Sequence, residues 1–448
     1  MTTPFDLLNR LHSVAPHRIT GTPEADAART WLTQYLSEQG LEPELVDFHY
    51  RAPGLLSRFA MLLNAWVTPL LGFFALALDP WIGLAALAAL NLFDFVLAPK
   101  IGRARSARGV NVLVGVNRPW AEMATGRRPL VIVTAHTDTA RAEPPWLRRL
   151  GSSNDTLYSL AAIGVVLLVL FWLTTGLLGL WSAALPLVIG LRAFWDGVGR
   201  WVMSGLCVPI ASSVSVWVLQ GLVEHELVNP GADDNGSGVA VALDLASALK
   251  VEHAGSFIDI ALAFVDAEEV GLRGTRDLVE RFGEKLDPEL TTIVNLDCVG
   301  RGDTLVSVRG QGLIRQRRPD PATLALWVDV SASHARSHAS IWMTFFSGGT
   351  DQDAWLARGF RRALSISHGD ITPRRLRATV YRAFGIVADP VDVVWSHLHS
   401  PTDSLAGISP AALAETRAAI LAFIRALGAL HDSTTAPIPP PSGDSPAP

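Results

Sequence analysis

Cysteine is nearly absent from this chain, with only Cys207 and Cys298 among 448 residues. Two cysteines cannot build the dense disulfide framework of a small secreted scaffold, and their scarcity fits a reducing compartment. Charge is scarce too, at 18% of residues, against about 25% in ordinary globular domains. The net charge of −5 and the lack of a basic stripe exclude a nucleic-acid partner as the expectation. The opening residues, MTTPFDLLNRLHSVAPHR, lack the charged start and apolar stretch of a cleavable signal peptide, so none is expected. No repeat of solenoid length is present.

What fills the space is apolar. Hydrophobic residues make up 49% of the chain, and the mean hydropathy is +0.29. A chain of 448 residues exceeds the roughly 250–300 that one core usually serves, so an added layer or module is expected. Phe59 to Leu78 carries no charge, and after Asp79-Pro80 the run from Trp81 to Leu97 carries only Asp94. Each approaches the roughly 20 residues that cross a bilayer, and Asp-Pro suits the turn between them. The plainer alternative is a buried pair of soluble helices. Tyr158 to Leu191 holds 34 uncharged residues, about 51 Å as a helix, too long for one span and short for two. Arg192, Asp196 and Arg200 interrupt it before a further uncharged run, Val202 to Val223.

Elsewhere the chain reads as ordinary α/β. Ala25 to Gln39 is an amphipathic helix closed by Gly40. VNVLVGV, LVIVTA, FIDIALAFV and TTIVNL read as strands; GVAVALDLASALK and PAALAETRAAILAFIRALGAL read as helices. The closing DSTTAPIPPPSGDSPAP is too proline-rich and polar to fold.

Acids and histidines recur where apolar strands stop. LVIVTAHTD ends in His136 and Asp138, IALAFVDAEE in Glu268 and Glu269, and TIVNLD in Asp297. In open parallel sheets ligands bind beyond the carboxyl ends of strands, so these ends point to one shared site. Asp233 and Asp234 lie in the glycine-rich turn VNPGADDNGSGVA, and WSHLHSPTD adds His397 and His399. Singly each has a bland reading. An Asp before NGSG is a helix cap, a Glu pair a solvated first helical turn, and a lone His a hydrogen-bonded structural residue. Their joint occurrence, in this order, is what defeats those readings.

That order resembles the zinc aminopeptidases with a co-catalytic metal pair, whose relatives include secreted bacterial leucyl aminopeptidases, glutamate carboxypeptidases and glutaminyl cyclases. AHTD, NPGADDNGSG, AEEVGLRG, NLD and HSPTDS carry the resemblance. It runs from RITGTPEADAARTWL near Arg18 to the terminal helix and leaves out the apolar insertions and the tail. The resemblance implies a zinc exopeptidase-like α/β fold, with a mixed, mostly parallel central sheet flanked by helices; the apolar runs, which lie outside the resemblance, are expected to add inserted transmembrane helices. It implies two Zn2+ ions. Asp234 would bridge them, His136 and Asp297 would complete one, and Glu269 and His399 the other. Glu268 would be the general base, and Asp138 would fix the ring of His136. Where the family often has Ser-Asp-His, this chain has Thr350-Asp351-Gln352, a segment expected to shape the substrate pocket. His397 matches no ligand and is read as structural or substrate-facing.

The expected organisation is a discontinuous peptidase domain of residues 1–58, 99–156 and 224–431. A transmembrane hairpin at 59–98, a second membrane insertion at 157–223 and a disordered tail at 432–448 complete it. His136 and Asp234 must meet at one metal pair, so the chain between them would cross the bilayer an even number of times. Arg51, Arg58, Lys100, Arg103, Arg105, Arg108, Arg141, Arg148 and Arg149 all fall on the catalytic side. By the retention of positive residues in the cytoplasm, the expectation is an integral inner-membrane protein whose catalytic domain faces the cytoplasm. The expected activity is a metal-dependent aminopeptidase acting on peptides near the lipid bilayer. Alternatives are another amide hydrolase, a glutaminyl cyclase-like enzyme, or a noncatalytic receptor-like relative.

Overall fold

The computed structural model describes residues 2–52, 105–142, 228–252, 258–312, 316–343, 349–383, 385, 387–395 and 397–435. In chain order the elements are helices α1 (Pro4–Val14) and α2 (Pro23–Glu38), then strands β1 (Glu44–Ala52) and β2 (Arg105–Gly115). A short helix α3 (Trp120–Met123) leads into β3 (Leu130–His136). The turn Ala232–Ser237 opens helix α4 (Gly238–Glu252), followed by β4 (Asp259–Val265), α5 (Arg273–Phe282) and β5 (Thr291–Leu296). The last third holds β6 (Thr304–Gln311), α6 (Pro321–Ser331), β7 (His338–Met343), α7 (Gln352–Ala357) and β8 (Ala363–Pro373). Then come α8 (Arg375–Ala383), β9 (Val391–Val394) and α9 (Pro410–Thr435).

The strands form one sheet in the order β1-β2-β4-β3-β5-β8-β6-β7, with β9 on β8. Strands β4, β3, β5 and β8 run parallel at its centre. Both flanks mix directions: β1 with β2, β2 with β4, β6 with β8, and β8 with β9 are antiparallel. The expected α/β class and mixed sheet are correct: parallel pairing runs through the centre and recurs between β6 and β7 at one edge, and the remaining pairs are antiparallel.

The central strands read as unbroken apolar runs because both faces are covered. On β3, Val131, Val133 and Ala135 face one core while Leu130 and Ile132 face the other; on β4, Ile260, Leu262 and Phe264 alternate in the same way with Ala261, Ala263 and Val265. The first core contains residues of α1, α2, α4 and α9, and the second contains residues of α3, α5 and α7. Trp327 of α6 meets Phe423 of α9 edge to face at 5.4 Å between ring centres, a contact that adds about 0.5–1.5 kcal/mol beyond the buried area.

The membrane expectation is overturned. Among the described residues no helix is long and apolar enough to cross a membrane, which contradicts the reading of an integral inner-membrane protein with a cytoplasm-facing domain. The longest described helix, α9, packs against the protein. It buries Ala412, Leu413, Ile420, Phe423 and Ile424 in the core, while Arg417 pairs with Asp244 and Arg425 with Glu252. Its apolar stripe therefore faces protein. The runs at 59–98 and 157–223, and the orientation argument built on them, lie outside the described residues. The terminal helix continues to Thr435, past the boundary expected at residue 431.

Candidate metal centre

Register brings three strand ends together. On the parallel strands β3 and β4, His136 lies opposite Val265, and on β3 and β5, Thr134 lies opposite Asn295. The residues just beyond, from Asp266 to Glu269 and Asp297, therefore emerge beside His136 at the carboxyl edge of the sheet.

The fourth contribution comes from the turn before α4. Gly231 adopts φ +57, and a Cβ there would stand 2.2 Å from Thr139 Cγ2, so only glycine fits. The turn delivers Asp234, whose peptide to Asn235 is cis. The fifth comes from the loop before α9, where His399 sits at φ +52. Ala267 (φ +60) and Cys298 (φ +57) are also left-handed and adjoin Glu268 and Asp297. Left-handed backbone at non-glycine residues costs about 1–3 kcal/mol each and persists where surroundings impose it.

The resulting geometry centres on one carboxylate. Asp234 Oδ1 lies 3.2 Å from His136 Nε2, which is itself 3.7 Å from Asp297 Oδ1. Asp234 Oδ2 lies 3.4 Å from His399 Nε2, which is 3.2 Å from Glu269 Oε2. Each oxygen of Asp234 thus faces its own histidine and acid. The donor atoms of His136, Asp234 and Glu269 all fall within 4.8 Å of one another, as do those of Asp234, Asp297 and Cys298.

Supporting contacts fix the donors. His136 Nδ1 is 3.1 Å from the carbonyl oxygen of Asp138. A carbonyl only accepts, so Nδ1 carries a hydrogen, and Nε2 is the ring nitrogen that faces the cluster. The Asp138 carboxylate, 3.6 Å from the ring, instead accepts the backbone N–H groups of Glu268 (3.0 Å) and Glu269 (3.1 Å). Asp138 thus contacts the His136 ring through its main chain and the Glu pair through its carboxylate. Glu269 Oε1 accepts from the Ala140 backbone, leaving Oε2 for His399.

Electrostatically the centre is a buried excess of acid. Burial penalises the Asp234 carboxylate, but hydrogen bonds from His136 and His399 outweigh it and hold the pKa well below the usual range. Burial, with the charge of Asp234 added, pushes Glu269 up to about 7. Burial opposed by His136 leaves Glu268 well above the ordinary carboxyl value, with Glu269, Asp351 and Asp297 adding to the rise. Burial also opposes charge on His136 and His399, yet their acidic neighbours raise both. A pocket in which imidazoles are driven positive to satisfy carboxylates is one that a cation would satisfy better, and mixed imidazole and carboxylate donors suit zinc. The residues fit a metal.

The sequence assigns no role to Asp403 or Arg18, and the structure gives both of them, with Asp233, His397, Asp351 and Gln352, a place around the cluster. Asp403 is fully buried and accepts the backbone N–H groups of both Asp233 (2.8 Å) and Asp234 (3.1 Å). Asp233 Oδ2 lies 2.7 Å from His397 Nε2, and its Oδ1 accepts from Gly300 N at 2.7 Å. His397 is thus structural, a prop under both the Asp234 turn and the His399 loop. Arg18 is fully buried, and burial lowers its pKa to about 10 against the pull of Asp403, Asp138 and Asp234. Asp351 is buried and accepts from the Thr275 hydroxyl at 2.5 Å. Gln352, in the segment expected to shape the pocket, points inward and donates to the Ala363 and Val308 carbonyls at 2.7 and 3.4 Å. The only sequence traces of these props were the doubled acid of GADDN, the HxHSPTD spacing and the RITGT stretch.

Comparison with known proteins follows the same lines. Residues 191–424 match peptidase family M28. A stretch of 72 residues is 40% identical to aminopeptidase YwaD of Bacillus subtilis, covering 16% of this chain and 15% of that protein's length. The crystal structure of Porphyromonas gingivalis glutaminyl cyclase superposes with a TM-score of 0.51 at 13% identity, over 95% of this chain and 97% of that one. BSAP, a zinc aminopeptidase from Bacillus subtilis, superposes with a TM-score of 0.48 at 13% identity, over 95% of both chains. At this identity the glutaminyl cyclase likeness is one of fold: a mixed sheet flanked by helices.

Proposed function

The chain belongs to peptidase family M28, and from that premise we propose that it is a zinc-dependent exopeptidase that removes N-terminal residues from peptides. The observation that carries the reading is the Asp234 carboxylate, each oxygen of which faces its own histidine and acid. Asp234 would bridge two zinc ions, with His136 and Asp297 completing one and Glu269 and His399 the other. Three protein donors per ion leave room for water and substrate. Zinc in such a pair supplies Lewis-acid activation of water and of the scissile carbonyl.

The chain's own residues do the rest. Glu268, seated through its backbone N–H on Asp138, takes a proton from the attacking water and returns it to the leaving amine as the C–N bond breaks. Asp138 keeps the Glu pair and the His136 ring in one arrangement. Asp403 and the Asp233–His397 pair hold the bridging turn. A receptor-like relative without catalysis is disfavoured, because the donor set and the base are all present and converge.

The test is a panel of aminoacyl chromogens together with an N-terminal glutaminyl peptide, run on zinc-loaded wild type and Glu268→Gln. Release of the N-terminal residue by wild type is expected, falling about 10²–10⁴-fold in the variant with its zinc retained. Cyclisation of the glutaminyl peptide without hydrolysis of any aminoacyl bond would replace the peptidase reading by that of an amide-transforming enzyme. Full activity in Glu268→Gln would remove Glu268 from the role of base.

A further inference from the structure

The buried arginine behind the acidic cluster has no place in the chemistry described so far. Arg18 Nε donates to the Thr137 carbonyl at 2.8 Å, Nη2 to the Gly231 carbonyl at 2.7 Å, and Nη1 to the Pro230 carbonyl at 3.4 Å. Its backbone joins the same seam: Arg18 N donates to Thr139 Oγ1 at 2.9 Å, and Thr139 N donates to the Arg18 carbonyl at 3.2 Å. The side chain is 1% exposed. Three features set it apart from a structural arginine. Its acceptors are carbonyls, so its charge is not cancelled by a contacting carboxylate; the nearest anionic influences on it are Asp403, Asp138 and Asp234. It bridges two loops that the sequence keeps far apart, one carrying His136 and Asp138, the other leading into Asp234. The fit is also tight, since a Cβ on Gly231 would stand 3.1 Å from Nη2.

We propose that Arg18 is a positioning residue of the metal centre, a clasp that holds the 137–139 loop and the 230–231 turn at the separation where His136 and Asp234 can share an ion. The planar guanidinium fork reaches carbonyls on both loops at once, which a lysine ammonium on a flexible stem cannot reproduce. Its uncancelled positive charge also steadies the Asp138, Asp234 and Asp403 carboxylates while the cations are away, so the donors are pre-arranged when zinc arrives. Thr20, two residues on, extends the grip: its hydroxyl donates to Asp266 at 2.8 Å and lies 3.3 Å from Asp138 Oδ2. The α1–α2 loop thereby braces the donor loops from behind.

This inference rests on the reading of the five donors as a metal site, and its test separates the two. Zinc affinity is measured on the full-length protein by chelator competition, and the visible spectrum of the cobalt(II) form is recorded. Wild type, Arg18→Lys, Arg18→Met and Arg118→Met are compared. Arg118 pairs with Asp259 and Glu122 away from the centre, so its loss tests stability alone. Removing groups that orient metal ligands typically costs 10–100-fold in metal affinity. Arg18→Met is therefore expected to bind zinc at least tenfold more weakly with an altered cobalt spectrum, Arg18→Lys to fall between, and Arg118→Met to match wild type. Wild-type affinity and spectrum in Arg18→Met, or full recovery in Arg18→Lys, overturns the clasp. Should Arg18→Met not fold, Arg18→Lys and Thr139→Val decide, and unchanged zinc affinity in both overturns the proposal. Failure of wild type itself to bind zinc defeats the metal reading instead.

Discussion

Replacing Asp266 by asparagine isolates one buried charge in the scaffold behind the centre. Asp266 follows β4, is 4% exposed, and receives N–H groups from Val110 (3.0 Å) and Ala267 (2.8 Å) and the Thr20 hydroxyl (2.8 Å). Burial, reinforced by the charge of Asp138, raises its pKa from 3.8 to about 6. An acid whose folded value lies above its unfolded value costs nothing below the unfolded value. Its cost grows as pH rises from about 4 to about 6 and is complete above that. At about 1.4 kcal/mol per unit, the full cost is roughly 3 kcal/mol. Asparagine removes that cost but keeps only one acceptor oxygen, stranding the Val110 N–H at about 1–3 kcal/mol at every pH. Urea unfolding of both proteins, in chelator so that zinc does not compete with protons, should therefore show Asp266→Asn the weaker at pH 4. Its deficit should shrink by up to roughly 3 kcal/mol by pH 7. A stability difference that stays constant from pH 4 to 7, or grows, would show that the Asp266 carboxylate carries no burial cost.

Other perturbations have equally definite outcomes. Asp403→Ala strands the two buried N–H groups of Asp233 and Asp234 at about 1–3 kcal/mol each, so its thermal midpoint should fall and its zinc affinity weaken together, read by calorimetry and chelator competition. Asp138→Ala frees both the His136 loop and the Glu pair; kcat should drop more steeply than in a variant that affects binding alone, with KM little changed. Phe423→Ala, at the fully buried contact with Trp327, should cost about 3–5 kcal/mol in urea unfolding and leave zinc stoichiometry untouched.

The parts of this molecule that could be read from its sequence are those where one physical signal dominates. Strands β3, β4 and β5 are covered on both faces, so each appears as an apolar run, and the polar residues that follow them mark the functional edge of the sheet. Among the five candidate ligands, His136, Glu269 and Asp297 stood out for that reason, whereas Asp234 and His399 stood out only through an order of motifs that resembles a known family. Strand β7, whose first three residues are only partly buried, and strand β6, which carries Ser307 and Arg309, lack that contrast. They did not stand out. The props under the centre were illegible for a different reason. Asp403 acts on backbone N–H groups and Arg18 on backbone carbonyls, and a sequence shows a charge but not the main-chain atoms that it meets. The membrane expectation came from the length and composition of the runs at 59–98 and 157–223, which lie outside the described residues, and among the described residues no helix is long and apolar enough to cross a membrane.

In the proposed centre the two oxygens of Asp234 serve two different ions. Zinc stoichiometry by elemental analysis, on wild type, His399→Ala and Asp234→Ala, tests it most directly. Wild type should hold two ions, His399→Ala one, and Asp234→Ala none firmly; two ions retained without Asp234, or a single ion in wild type, would rule out a bridging carboxylate.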